Sequence, residues 1–97
     1  MIKTPKGKEY GKRMKVLSIA YLTKNTKLFF NNQWEEEDIE LLYNDAANLA
    51  MIGQYLIEGN INAAYSLASD LDTLVRDEIP NSVWSYMQKY TEELAQA

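Results

Sequence analysis

Carboxylates are the residues of this sequence with the clearest capacity for chemistry. Thirteen of the 14 Asp and Glu residues follow position 27 in a chain of 97 residues that has neither cysteine nor histidine. Two carboxylates can act as general acid and base when their environments differ, and clustered carboxylates can bind divalent cations. The absence of Cys and His removes thiolate and imidazole nucleophiles, bases and metal ligands. Catalysis would therefore depend on carboxylates, lysine or tyrosine.

The spacing of the acids favours a surface role over catalysis or metal binding. Glu36 and Glu40 lie one helical turn apart, and neighbouring exposed acids on a helix have no reason to differ in pKa. The run Asp70-Leu71-Asp72 lacks the glycine and the spacing of a calcium-binding loop. We expect a non-enzymatic protein with no catalytic residue, no metal site and no cofactor.

Rows of carboxylates on rigid helices can present a negative surface similar to a nucleic-acid backbone. Acids four residues apart lie about 6 Å apart along a helix axis, which is comparable to the phosphate spacing. Such a surface competes for basic grooves and gains from electrostatic steering. In size and charge the chain resembles the small acidic proteins of mobile elements and phages that block host nucleases or nucleic-acid-guided complexes. The acidic face is predicted to comprise Glu36, Glu37, Glu40, Asp70, Asp72, Asp77 and Glu78.

The basic residues are concentrated at the other end of the chain. Residues 1–27 hold eight Lys and Arg against Glu9, a net charge of +7, whereas residues 28–97 carry a net charge of −11. Basic side chains interleaved with aromatic ones can follow a phosphate backbone while the rings stack on bases. Nucleic-acid binding through the N-terminal arm and the segment after it is therefore the alternative function. Its candidate residues are Lys12, Arg13, Lys15, Lys24, Lys27, Phe29 and Phe30.

The N-terminal elements predicted to position these side chains are an arm and a hairpin. Residues 1–13 contain proline and two glycines and lack apolar periodicity, so we expect a flexible basic arm. Residues 15–31 contain two short apolar runs around the turn-like tetrapeptide 24–27, which predicts a β-hairpin. Both faces of the first run are apolar, so a helix stays open as the alternative.

Three helices are predicted after the hairpin, over about 34–58, 61–79 and 82–95. Acids crowd the first turn of the first helix, where they offset the helix dipole, and Gly59 suits its left-handed end. The apolar stripe of the second helix runs through Leu71 and Leu74 and stops before Pro80. The expected fold is one α+β domain over residues 14–97, with an N-terminal β-hairpin packed on a three-helix bundle. An all-α four-helix bundle is the alternative.

These patterns favour a protein-binding module, an inhibitor or adaptor that occupies a basic, nucleic-acid-binding surface of a larger partner. The plain alternative is that the acids only keep the domain soluble. A structural subunit or homodimer is also open, because seven Tyr and two Trp suit an interface. We expect no membrane contact and a cytoplasmic location, since the chain has no run of about 18 apolar residues and no secretion signal.

Overall fold

The N-terminal third of the chain forms one long helix instead of an arm and a hairpin. The computed structural model describes residues 2–31 and 35–96, and no strand occurs among them. The elements are α1 (Pro5–Asn31), α2 (Glu36–Glu58), α3 (Ile61–Asp70), α4 (Thr73–Arg76) and α5 (Asn81–Gln96). The prediction of an α+β fold was therefore wrong, and the architecture is a helical bundle.

Helix α1 begins at a proline, one of the residues on which the prediction of a flexible arm rested. Pro5 occupies the first helical position, where its missing N–H removes no hydrogen bond and its fixed φ suits the helix. The Thr4 Oγ1 accepts a hydrogen bond from the backbone N–H of Gly7 at 2.9 Å, which caps the helix. The segment predicted as a flexible arm is thus helical from Pro5 onward, and both Gly7 and Gly11 are buried.

The turn-like tetrapeptide 24–27 lies inside α1. The Asn25 Nδ2 donates to the carbonyl of Tyr21 at 2.8 Å, and the Thr26 Oγ1 donates to the carbonyl of Leu22 at 2.6 Å. These short polar side chains, which could equally stabilise a turn, bond to carbonyls one helical turn earlier. The predicted hairpin over 15–31 was wrong because this local chemistry fits both structures.

Helices α1 and α2 run antiparallel and come into close backbone contact at Gly11 and Gly53. A Cβ atom built on either glycine would lie 2.5 Å from the carbonyl oxygen of the other. Two turns further along α1, the buried Ser18 Oγ donates to the carbonyl of Ala46 at 2.6 Å. The α1 stripe that faces α2 has helical spacing but consists mainly of small residues. A search for periodic large apolar residues therefore does not detect this helix.

Helix α2 follows the prediction closely. Glu35 caps it in a capping box with Asp38, and the Glu35 backbone N–H donates to the Asp38 Oδ2 at 3.2 Å. The helix ends at Glu58, and Gly59 has the predicted left-handed conformation with φ 82°. The helix therefore holds its first-turn acids at one end and a glycine turn at the other.

The single helix predicted over 61–79 is broken in two. Helix α3 ends at Asp70, Leu71 is extended with ψ 148°, and the Asp72 Oδ1 accepts from the Thr73 N–H at 2.8 Å to start α4. Leu71 and Val75 remain buried, but Leu74 is 79% exposed. The break therefore turns outward a leucine that an unbroken stripe would place in the core.

The core lies along the successive contacts of α1 with α2, of α2 with α3 and of α3 with α5. Leu49, Ile52, Leu56, Ile61 and Met87 are fully buried there. The N-terminal segment is also tied to α5 and to the turn between α2 and α3. The Thr4 and Tyr86 hydroxyl oxygens lie 2.6 Å apart in a hydrogen bond, and the Ile2 N–H donates to the carbonyl of Gly59 at 2.9 Å.

Candidate functional site

An open groove lies between α1, α2 and α4 and combines acidic with exposed apolar side chains. It has a volume of about 450 Å³. We name it the acidic groove and define it by its lining residues, which are Tyr21, Asn25, Asp38, Leu41, Leu42, Asp45 and Leu74. Four of them recur on α2 at steps of three and four residues, so one face of that helix forms a wall.

Two leucines make the groove apolar as well as acidic. Leu41 is 60% exposed and Leu74 is 79% exposed, and they come from different helices. A single exposed leucine needs no explanation, but exposed apolar side chains that converge in one concave surface are typical of binding sites. The groove therefore presents apolar contact area framed by charge.

Carboxylates from three segments act on the centre of the groove. Asp45 lies near the Tyr21 hydroxyl, and Asp72 and Glu78 lie near enough to act on Tyr21 as well. Burial and, next, the Asp45 charge raise the pKa of Tyr21. Burial and repulsion by Asp72 raise the pKa of Asp45, although the Tyr21 hydroxyl opposes that change. The Lys24 Nζ offsets part of this charge at 3.9 Å from the Glu78 carboxylate.

The structure brings together only part of the predicted acidic face. Asp72 and Glu78 lie near the groove, where Asp72 also caps α4. Glu36, Glu37 and Glu40 are exposed on the first turns of α2. The helical repeat places Glu36 and Glu40 on the side of α2 away from the groove-lining residues.

The remaining predicted acids lie at helix ends, and one important acid was missed. Asp70 ends α3 and Asp77 directly follows α4, and both are exposed. Asp45 was not predicted as a site residue. The sequence feature that could have identified it is its position. Asp45 is a single carboxylate next to Ala46 and three residues after Leu42, at the edge of the buried stripe of α2.

The predicted basic residues do not form one continuous face. Lys12 and Lys15 lie on one side of α1, whereas Arg13 and Lys24, eleven residues and three turns apart, lie on another. The Lys15 Nζ donates to the Gln54 side chain at 2.6 Å, and the Arg13 guanidinium lies 3.7 Å from the Glu9 carboxylate.

Three residues of the predicted basic segment remain. Lys27 is exposed on α1. The side chains of Phe29 and Phe30, predicted as exposed anchors or stacking rings, lie outside the described residues. The structure therefore does not test the prediction made for these two phenylalanines.

The described residues add two findings about other kinds of site. Among residues 2–31 and 35–96, no group of three or more carboxylates is placed to hold a metal ion. No helix in those ranges combines the length and apolar character needed to cross a bilayer. In comparisons with known proteins, no family model, curated protein or solved structure matches this chain.

Proposed function

We propose that this chain is a non-enzymatic, cytoplasmic protein-binding module that holds a basic segment of a larger partner in its acidic groove. The observation that carries the proposal is that two exposed leucines, Leu41 and Leu74, line the same groove as the carboxylates of Asp38 and Asp45. This surface is complementary to a segment that carries both apolar side chains and Lys or Arg. A purely solubilising acidic surface would not require exposed leucines in a concavity.

The electrostatics of the groove support a cationic occupant. Burial disfavours the charged form of Asp45, and repulsion by the Asp72 carboxylate adds to this effect. A guanidinium or ammonium group from a partner would relieve this repulsion and hydrogen-bond to the carboxylates. The gain in free energy on binding is larger where the acids are poorly solvated beforehand.

The sharper form of the proposal makes the chain an inhibitor or adaptor. A basic segment with apolar side chains is also what many nucleic-acid-binding surfaces offer, so occupation of the groove would compete with nucleic acid there. In this form the groove takes the place of the predicted rows of carboxylates on a helical face. Its negative field would speed association at low salt, and the rate would fall as salt screens it.

The test is affinity capture from a cell lysate treated with nuclease. Two variants compare the groove with the outer acids, which are Glu36 and Glu40 on the opposite side of α2. The groove variant is Asp45→Asn with Leu74→Ser. The control is Glu36→Lys with Glu40→Lys, which makes a larger change in charge on the far side of α2. Circular dichroism would verify that both variants keep the helical fold.

The proposal expects the groove variant to bind the captured partner about tenfold or more weakly and the control to retain affinity. Loss of binding by the control with retention by the groove variant would assign the function to the outer acids. Recovery that disappears with nuclease would remove the protein-binding proposal.

A self-associating subunit is the second candidate function. The observation that favours it is the outward exposure of Val16 and Ile19 on α1, each 66% exposed, and of Tyr43 on α2. A molar mass that rises with concentration in light scattering, and becomes monomeric on Ile19→Ser, would support this candidate. A constant monomer mass would exclude it.

A further inference from the structure

A second concave surface lies where α1 and α5 begin, and its chemistry is opposite to that of the acidic groove. It has a volume of about 560 Å³, within the range of small-molecule sites. We name it the tyrosine cleft. Its principal lining residues are Thr4, Lys6, Tyr10, Tyr86, Lys89 and Tyr90. No carboxylate lines it among the residues that the structure describes.

Three tyrosine rings form a continuous aromatic wall in this cleft. The rings of Tyr10 and Tyr86 meet edge to face at 5.3 Å between centroids, and those of Tyr86 and Tyr90 lie 4.7 Å apart. Tyr86 is buried and held by its hydrogen bond to Thr4, whereas Tyr10 and Tyr90 are half-buried. The outer two rings therefore keep part of their surface available for a planar group, on a wall that the central ring makes rigid.

The ammonium group of a lysine lies over each of the outer rings. The Lys6 Nζ lies 5.6 Å from the centroid of Tyr10, and the Lys89 Nζ lies 5.4 Å from that of Tyr90. These two lysines come from opposite ends of the sequence, and the fold places both in one cavity. Ser82 and Ser85 add hydroxyl groups from the first turns of α5. The cleft thus offers cations, hydroxyls and aromatic rings to one occupant.

We infer that the tyrosine cleft binds a nucleoside phosphate, free or at the end of a single strand. The phosphate would lie between the ammonium groups of Lys6 and Lys89, because both are charge-assisted donors on the same cavity. The base would stack on the exposed surface of Tyr90, because the Tyr10 ring already has both the Lys6 ammonium and the Arg13 guanidinium over it. Such stacking is an interaction that all bases can make. The serine hydroxyls suit the ribose or a remaining phosphate oxygen.

One acid beside the cleft restrains this binding. The Glu9 carboxylate lies 3.7 Å from the Lys6 Nζ and 3.7 Å from the Arg13 guanidinium. It therefore competes with an incoming phosphate for the lysine. Removal of its charge should raise affinity, an effect that a purely structural role of Glu9 would not produce.

The experiment is a titration of the ¹⁵N-labelled full chain with AMP at low salt, followed by NMR amide shifts. Ribose 5-phosphate and a 5′-phosphorylated oligothymidine are titrated in parallel. We expect saturable AMP shifts confined to residues near 4–10 and 82–90. Lys6→Gln with Lys89→Gln should weaken binding about tenfold or more, whereas Lys8→Gln, exposed on the same helix but outside the cleft, should leave it unchanged. Glu9→Gln should strengthen it.

The two parallel ligands test whether the base is recognised and whether the ligand is a free nucleotide or the end of a strand. Ribose 5-phosphate should bind more weakly than AMP, and equal binding would overturn recognition of the base. Tighter binding of the oligonucleotide would identify a strand end as the source of the ligand, and equal binding would identify the free nucleotide. The inference fails if AMP gives no saturable shifts, or if the Lys8 variant loses as much affinity as the double cleft variant.

Discussion

Gly11 and Gly53 meet backbone to backbone where α1 passes α2, with each backbone occupying the space that a Cβ on the other would need. This mutual contact sets the separation of the two longest helices. Because these helices also supply most of the lining of the acidic groove, the width of the groove depends on two residues that do not line it.

The first prediction concerns this contact. Gly53→Ala should destabilise the protein by about 1–3 kcal/mol, because a Cβ 2.5 Å from the Gly11 carbonyl forces the helices apart. The intrinsic helix preference of alanine over glycine, about 1 kcal/mol in the opposite direction, is too small to compensate. Urea unfolding measures the change. Asn44→Ala, exposed on the same helix, should stay within about 0.5 kcal/mol of the wild type. A Gly53→Ala protein of raised stability would contradict the close contact.

The second prediction concerns pH. The pKa of Asp45 is raised in the folded state, so above about pH 4 the folded chain holds this proton more strongly than the unfolded chain does. The free energy of unfolding contributed by Asp45 therefore falls as pH rises through the raised pKa. Asp45→Asn should remove this loss, so its stability relative to the wild type should increase between pH 4 and pH 7. Parallel urea titrations at both pH values test this, and a relative stability that decreases over the interval would show that ionised Asp45 is favourable.

The third prediction concerns the hydrogen bond that links the start of α1 to α5. Tyr86→Phe should cost about 1 kcal/mol through loss of the hydrogen bond to Thr4. Thr4→Val should cost about 1 kcal/mol more than that, because Thr4 also caps α1 at Gly7. A double-mutant cycle isolates the shared bond, and Thr4→Ser, which keeps the hydroxyl, should retain the coupling. Strict additivity of Thr4→Val and Tyr86→Phe would show that the bond adds nothing to stability.

The fourth prediction separates binding from folding with two leucines. Leu49→Ala should cost about 2–5 kcal/mol, because Leu49 is fully buried. Leu74→Ala should leave stability within about 0.5 kcal/mol, since most of its side chain is already in water. Under the proposed function Leu74→Ala nevertheless weakens partner binding. Thermal unfolding and the capture assay on the same samples test both statements, and a large stability loss at Leu74 would place it in the core.

The parts of the fold that were predictable are those with strong local signals. Gly59 was predicted to end α2 because a left-handed residue is needed there, and the structure has φ 82° at that position. The start of α5 follows Pro80 within one residue of the prediction. In both cases one residue type has a conformational preference that no distant contact opposes.

The segments that were predicted wrongly are those whose secondary structure depends on contacts with residues distant in the sequence. The glycines of α1 look like breakers until the neighbouring helix that needs their small size is known. The break after Asp70 carries no proline or glycine, and Asp72 serves as a cap only once the chain has turned. The acidic groove could be predicted only in part for the same reason, because Leu74 lines it only when the helix breaks after Asp70.

The bond between Thr4 and Tyr86 joins groups 82 positions apart, so it closes a loop of most of the chain. A polypeptide grows on the ribosome from its N-terminus. All the residues that line the acidic groove lie at or before Leu74, so they are synthesised before α5. The tyrosine cleft has no second wall until α5 follows. During synthesis the acidic groove therefore has all of its lining residues before the tyrosine cleft does.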